Sequence, residues 1–231
     1  MEFIQEVSQL ENYCEHQTRS QLKSNLNFLE EILNFYYTLL QKQINDETDI
    51  KTHELAIILI HAKIIKTINC NSDLLKKGHY SEFRSLLRDV FELTFLSQYI
   101  MMNPEKAEPW LDGGQIGHRL VANTLNLPTE IREIYGMLCD YTHPNFNGVK
   151  ENLILNKKKE DIGFLMIPIF RKKIAKALVI MQIHFAFMAI NQFFVCFKIY
   201  KNFNKDDEKQ LKRIKNKLPK QVNSWAQYCR D

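Results

Sequence analysis

Residues 177–197, ALVIMQIHFAFMAINQFFVCF, carry no formal charge. A bilayer crossing takes about 20 apolar residues, so this run either spans a membrane or forms a helix that other helices enclose. Lys172, Lys173 and Lys176 precede it, and Lys198 and Lys201 follow. Gln182, His184, Asn191 and Gln192 interrupt it and do not form one stripe. A lone span would therefore expose some of them to lipid, where an unpaired polar group is costly. A helix that is apolar all round also suits the centre of a soluble bundle. The central-helix reading is the expectation, with membrane association through 177–197 as its alternative.

The rest of the chain supplies helices to enclose it. From Gln21 to Ile44, Leu22, Leu26, Leu29, Leu33, Tyr36 and Leu40 recur at spacings of four and three, and Ile32 and Leu39 widen the stripe. That seam must pack on a bundle core or on a second copy of the chain. A second helix is expected over Thr52–Lys77, with Gly78 ending it. A third runs over Tyr80–Met102 and stops at Asn103-Pro104. Pro109 and Gly113-Gly114 break the next region into short pieces before a helix over Gln115–Leu125. Pro128 suits the first turn of another helix, whose face is Ile131, Ile134, Tyr135, Leu138 and Thr142 and which ends at His143 before Pro144. ENLIL and IGFLMI, around NKKKED, fit a small β-hairpin near 152–167. The longest helix is expected over 168–200, and Pro219 divides the basic segment after Asn204 into two short helices. The fold class is thus all-α, a helical bundle over 1–231 with a basic C-terminal extension at about 201–231.

Composition agrees with long helices. Hydrophobic residues make up 45% of the chain, while it has seven glycines and six prolines. An all-β fold would need more turn residues. The five cysteines are odd in number, widely spaced and without a CxxC pair, which reads as reduced thiols with no zinc ribbon. The N-terminal MEFIQEVSQLENYCEHQ is acidic and amphipathic, unlike a signal peptide. A cytoplasmic location is expected. The net charge of +4 is too mild to argue for nucleic-acid binding by itself.

Two stretches carry polar chemistry. In FRSLLRDVFE, Arg84, Arg88 and Glu92 follow one another at spacings of four and share one side of a helix. They form either an Arg–Glu brace to a neighbouring helix or an anion-holding face. In YGMLCDYTHPN, Cys139 and His143 lie four apart and Asp140 and His143 three apart. Cysteine enzymes bring nucleophile and base from distant segments, so Cys139 is a poor nucleophile. His143 at a helix C-terminus either satisfies the last carbonyls or serves as a general acid/base that contacts phosphate. Tyr135, Asn145 and the pair His118-Arg119 complete the set of candidate binding residues. His53 and His61 are too far apart to share a metal. The chain has no P-loop, GxGxxG, GxSxG or kinase motif, and no metal site or cofactor is expected.

At these stretches the chain resembles a bacterial all-helical family of unknown function. LLRDVFELTFLSQYIMMNPEKAEPWLD is similar to its Arg-x-x-x-Glu helix, and YGMLCDYTHPN resembles its Tyr-x-x-Leu-Ser-x-x-x-His-Pro mark, with Cys139 where the family has Ser. The likeness covers roughly residues 50–150. The family looks like a relative of the HEPN domains, four- or five-helix bundles, often dimeric, of abortive-infection, toxin–antitoxin and CRISPR-linked proteins, many of them metal-independent ribonucleases. The resemblance implies a homodimer, an antiviral-defence or stress setting, and RNA, a nucleotide or a protein partner encoded nearby as the binding partner. Active HEPN ribonucleases carry Arg-x(4–6)-His, and no histidine here has an arginine at that distance; Arg132 precedes His143 by too much. An RNA-cleaving site would have to be assembled across helices, with Arg84, Arg88 or Arg119 meeting His143. The lysine-rich KIYKNFNKDDEKQLKRIKNKLPK, with Tyr200 and Phe203 interleaved, is either a solvated face or a track for a phosphate backbone.

Overall fold

The structure, a computed structural model, describes residues 2–45, 50–142, 153–156, 161–164, 167–198 and 203–219. The chain is an all-α bundle with one short β-hairpin. Its helices are α1 (Glu2–Gln21), α2 (Lys23–Asn45), α3 (Thr52–Lys77), α4 (Tyr80–Met102), α5 (Ala107–Leu111), α6 (His118–Thr124), α7 (Thr129–Thr142), α8 (Lys172–Lys198) and α9 (Lys205–Lys217). A 3-10 turn, Pro104–Lys106, leads into α5. Strands β1 (Leu153–Asn156) and β2 (Asp161–Phe164) pair antiparallel, Leu153 opposite Phe164 and Asn156 opposite Asp161.

The uncharged run is the centre. α8 packs against α2, α3 and α4, and Val179, Ile183, Ala186, Ile190 and Phe193 have no exposed surface. Gln182 is also fully buried, and its Nε2 donates to the Ile68 carbonyl at 2.8 Å and to Ser72 Oγ at 3.0 Å on α3. Asn191 is exposed, and His184 and Gln192 are half-buried. The polar residues that would be costly against lipid are thus either bonded inside the protein or at its margin. The segment Lys172–Phe197 is long and apolar enough to cross a membrane, yet 67% of its most apolar window is buried by the rest of the bundle.

α2 turns its stripe inward. Leu29, Ile32, Tyr36, Leu39 and Leu40 are buried, so most of the seam is core rather than a dimer face. Tyr36 hydroxyl is hydrogen-bonded to His61 Nδ1 of α3, and Phe193 of α8 lies 4.8 Å from the His61 ring, centroid to centroid. α3 packs along α4. Gly78 makes the turn between them. Its φ of 85° is the left-handed conformation of a C′ glycine. Gly78 N–H donates to Leu75 O, and His79 N–H to Leu74 O at 2.9 Å. A Cβ there would also meet Cys14 Sγ and the Ile169 backbone at 3.1 Å. α1 uses this corner: Cys14 and Thr18 are buried, Thr18 Oγ1 donates to Lys76 O, and His79 meets Glu11 at 2.8 Å.

The sequence expectations place most of these elements within a few residues. The helix expected over Gln115–Leu125 is shorter, because Gly117 adopts an extended conformation and α6 begins only at His118. The acidic N-terminal segment forms a full helix of its own. Of the two short C-terminal helices, the first is α9; the other lies outside the described residues, as do His143, Pro144 and Asn145. α9 opens on a capping box, in which Asn204 Oδ1 accepts from the N–H groups of Asp206 and Asp207 and Asp207 Oδ2 accepts from Asn204 N–H. It is tied to α2 by Lys42–Asp207 and by Arg213 and Lys217 on Glu31.

Candidate functional site

α4 and α7 pack side by side, and their facing polar residues meet. On α4 the spacing of four that aligns Arg88 with Glu92 gives an intrahelical pair, Arg88 Nε donating to Glu92 Oε1 at 2.8 Å. On α7, Tyr135, Cys139 and Thr142 recur at four and three and face that pair. Arg88 Nη1 donates to Thr142 Oγ1 at 2.8 Å, and Nη2 reaches the Tyr135 hydroxyl at 3.4 Å. Tyr135 in turn donates to Glu92 Oε1 at 2.8 Å, and Thr142 Oγ1 donates to the Cys139 carbonyl at 2.9 Å. The result is a closed ring of donors and acceptors. The Arg–Glu brace to a neighbouring helix is present.

α6 adds an aromatic layer. His118 stacks on Tyr135 with ring centroids 3.7 Å apart and planes 28° apart, and Phe91 of α4 lies 5.8 Å from His118 and 5.7 Å from Tyr135. Arg132 fixes α6 against α7, donating to Leu127 O, Ala122 O and Asn123 Oδ1. Ala122 O also accepts from Leu127 N–H, so Arg132 reinforces the turn that follows α6.

Burial sets the protonation states. It lowers the His118 pKa, and the Arg88 and Arg132 charges act the same way against an opposing pull from Glu92. His118 is therefore a neutral imidazole at pH 7. Burial raises the Tyr135 phenol, helped by its hydrogen bonds to Glu92 and Cys139, so it stays protonated and donates. Burial and the neighbouring Glu92 carboxylate raise Asp89.

The candidate residues divide into three groups. Arg88, Glu92, Tyr135 and His118 converge. Arg84, one turn earlier on α4, is only 2% exposed and points into the core near Tyr80 rather than into the ring. Burial pushes Tyr80 up to about 12, and its hydroxyl accepts from Arg171 N–H at 3.1 Å. Arg119 and Asp140 are exposed and take no part in the network among the described residues. His143 and Asn145 lie outside those residues; Thr142, which Arg88 holds, is the chain neighbour of His143. Thr142 and Arg132 join the site without being among the residues expected there. Thr142 shares the spacing that marks Tyr135, and that spacing is the signal that points to it.

Arg88 and Glu92 cancel in charge, and their side chains are 24% and 32% exposed. Among the described residues Arg88 uses three of its five N–H donors within the ring. No group of three His, Cys, Asp or Glu residues fit to hold a metal exists among the described residues. The arrangement can offer hydrogen bonds and a stacked aromatic pair.

Residues 54–134 are similar to a family of unknown function (DUF5677). The matched segment runs from the first turn of α3 into α7 and includes Arg88, Glu92 and His118. No curated protein and no solved structure matches the chain.

Proposed function

We propose that this chain is a HEPN-like binding protein of a bacterial defence or stress system, and that the α4–α6–α7 ring holds RNA or a nucleotide without cleaving it. The observation that carries this reading is the charge balance at Arg88. An arginine already paired with Glu92 and bonded to Thr142 and Tyr135 is a positioned donor, not a free cation for a transition state. The His118–Tyr135 stack supplies a surface on which a base can lie. The missing Arg-x(4–6)-His spacing points the same way. Fluorescence anisotropy with a short labelled single-stranded RNA in EDTA tests it. Binding that weakens in Arg88→Ala and in Tyr135→Ala, with the RNA left intact, is the expected result. Unchanged binding in both variants, or none by the wild type, removes the reading.

The second reading is a metal-independent ribonuclease in which His143 acts as acid/base and Arg88 meets the phosphate, Arg84 being enclosed in the core. What supports it is that Thr142, held by Arg88, adjoins His143, together with a neutral imidazole at His118. RNA cleavage in EDTA that His143→Ala abolishes, in a variant with unchanged helical circular dichroism, would favour this reading over the first. Either reading is of a homodimer with cytoplasmic location. Exposed Ile50, Leu55 and Leu59 at the start of α3 support a second copy as partner, and a monomeric mass by light scattering would count against it. A protein partner encoded nearby is the remaining alternative for the same face.

A further inference from the structure

A second concavity lies where α1, α2 and α3 meet, and it shares no residue with the Arg88 ring. Its volume is about 820 Å³, within the range of small-molecule sites. Basic groups gather around a break in the backbone. Between α1 and α2 the helix is interrupted at Leu22, whose N–H still bonds Thr18 O while the ladder resumes at Leu26 N–H to Leu22 O. Arg19 and Lys23 flank this break, and both line the cleft with His16. Lys76, near the end of α3, stands on the opposite wall.

The floor is of a different kind. Leu26, Leu29, Leu33 and Ile65 form an apolar surface, bordered by the amides of Asn27, Asn34 and Asn69. One carboxylate, Glu30, lines the cleft against the three permanent cations. Arg19 is paired with Glu15 and Lys76 with Asp73, each at 2.7 Å. Arg19 and Asp73 are 59% and 70% exposed, so both pairs are screened by water and exchange readily for a stronger anion. Lys23 has no acidic partner among the described residues.

From the cations at one end and the apolar floor beyond them, we infer that this cleft binds a phosphorylated small molecule. Its phosphate lies among Arg19, Lys23 and Lys76, and a flat apolar body lies on Leu26, Leu33 and Ile65. A doubly charged phosphate matches several converging donors better than a single carboxylate does. The amides at the rim can read polar edges of the body.

Isothermal titration of the full chain with phenyl phosphate, inorganic phosphate and phenol tests this. Phenyl phosphate binds with one-site saturation, about tenfold or more tightly than inorganic phosphate, and phenol alone does not saturate. The double variant Arg19→Ala, Lys23→Ala loses that binding by about tenfold or more while its circular dichroism is unchanged. Arg88→Ala keeps it, because that ring is elsewhere. Equal affinity for inorganic phosphate would mark an adventitious ion only and overturn the proposal. So would the absence of saturable phenyl phosphate binding, or undiminished binding by the folded double variant.

Discussion

His61 and Gln182 are both fully buried polar side chains, but they differ in what their burial does. Burial alone lowers the His61 pKa to about 3, from an unfolded value near 6.5. Between those values the unfolded chain takes up a proton that the folded one refuses. Stability is therefore present above about pH 6.5 and is lost as pH falls, at up to about 1.4 kcal/mol per pH unit from this residue. Burial shifts His118 and His184 in the same direction. Urea midpoints measured from pH 7.5 to 4 should show a steeper slope in the wild type than in His61→Phe; equal slopes would remove the assignment. At pH 7.5 the variant itself should be about 1–3 kcal/mol less stable, because the Tyr36 hydroxyl loses its partner in the core. Gln182 behaves otherwise. Its Nε2 is bonded twice, but its Oε1 has no partner among the described residues, and Ser72 Oγ keeps its own bond to Ile68 O. Gln182→Met removes the orphaned oxygen together with the two bonds, so a stability change within about 1 kcal/mol is expected from denaturant midpoints. A loss of several kcal/mol would mean that the amide fixes how α8 sits on α3. Sequence alone marks Gln182 as a polar interruption of an apolar run and His61 as a histidine with no metal partner. It does not reveal their partners, which lie on other helices.

Elements are more legible than partners. α3 and α4 are bounded by Gly78 and by Asn103-Pro104, and such stops act through local backbone sterics that need no tertiary context. The hairpin forms within the two apolar runs expected to pair, ENLIL and IGFLMI. The N-terminal helix is harder to read, because its segment is rich in polar and acidic residues and only Cys14 and Thr18 are buried among its described residues. It depends on α3 to hold it. The site shows the same division. Arg88–Glu92 is one turn of one helix and can be read directly, whereas Arg84 shares the spacing but not the environment. α9 allows an element-level test. Glu31 is 26% exposed and holds Arg213 and Lys217, which are more exposed still. Glu31→Gln should lower stability by at most about 1 kcal/mol, and by less in 1 M salt. Asp207 has an 8% exposed side chain and relies on Lys42. Lys42→Met leaves that charge partly uncompensated and should cost about 1–3 kcal/mol, with little salt dependence. Chemical denaturation at low and high salt separates the two, and the reverse ranking would mean that α9 is anchored chiefly through Glu31.

At the scale of the whole molecule, the central position of α8 bears on where the protein partitions. Its apolar surface is turned to α2, α3 and α4, and little remains for lipid. After cell lysis and a high-salt wash the protein is expected in the supernatant. Recovery in the membrane pellet would mean that the bundle opens to release α8.

The same arrangement sets an order in time. α2, α3 and α4 are complete by Met102, but the helix they enclose ends only at Lys198. A ribosome adding roughly 5–20 residues per second takes about 5–20 s to cover that interval. Throughout it the inner faces of three helices, Ile60, Ile64, Phe83 and Leu87 among them, have no α8 to cover them. A chain truncated before residue 172 is thus expected in the insoluble fraction after expression rather than as a smaller folded bundle, and a soluble, cooperatively unfolding truncation would show that α2, α3 and α4 close on one another without α8.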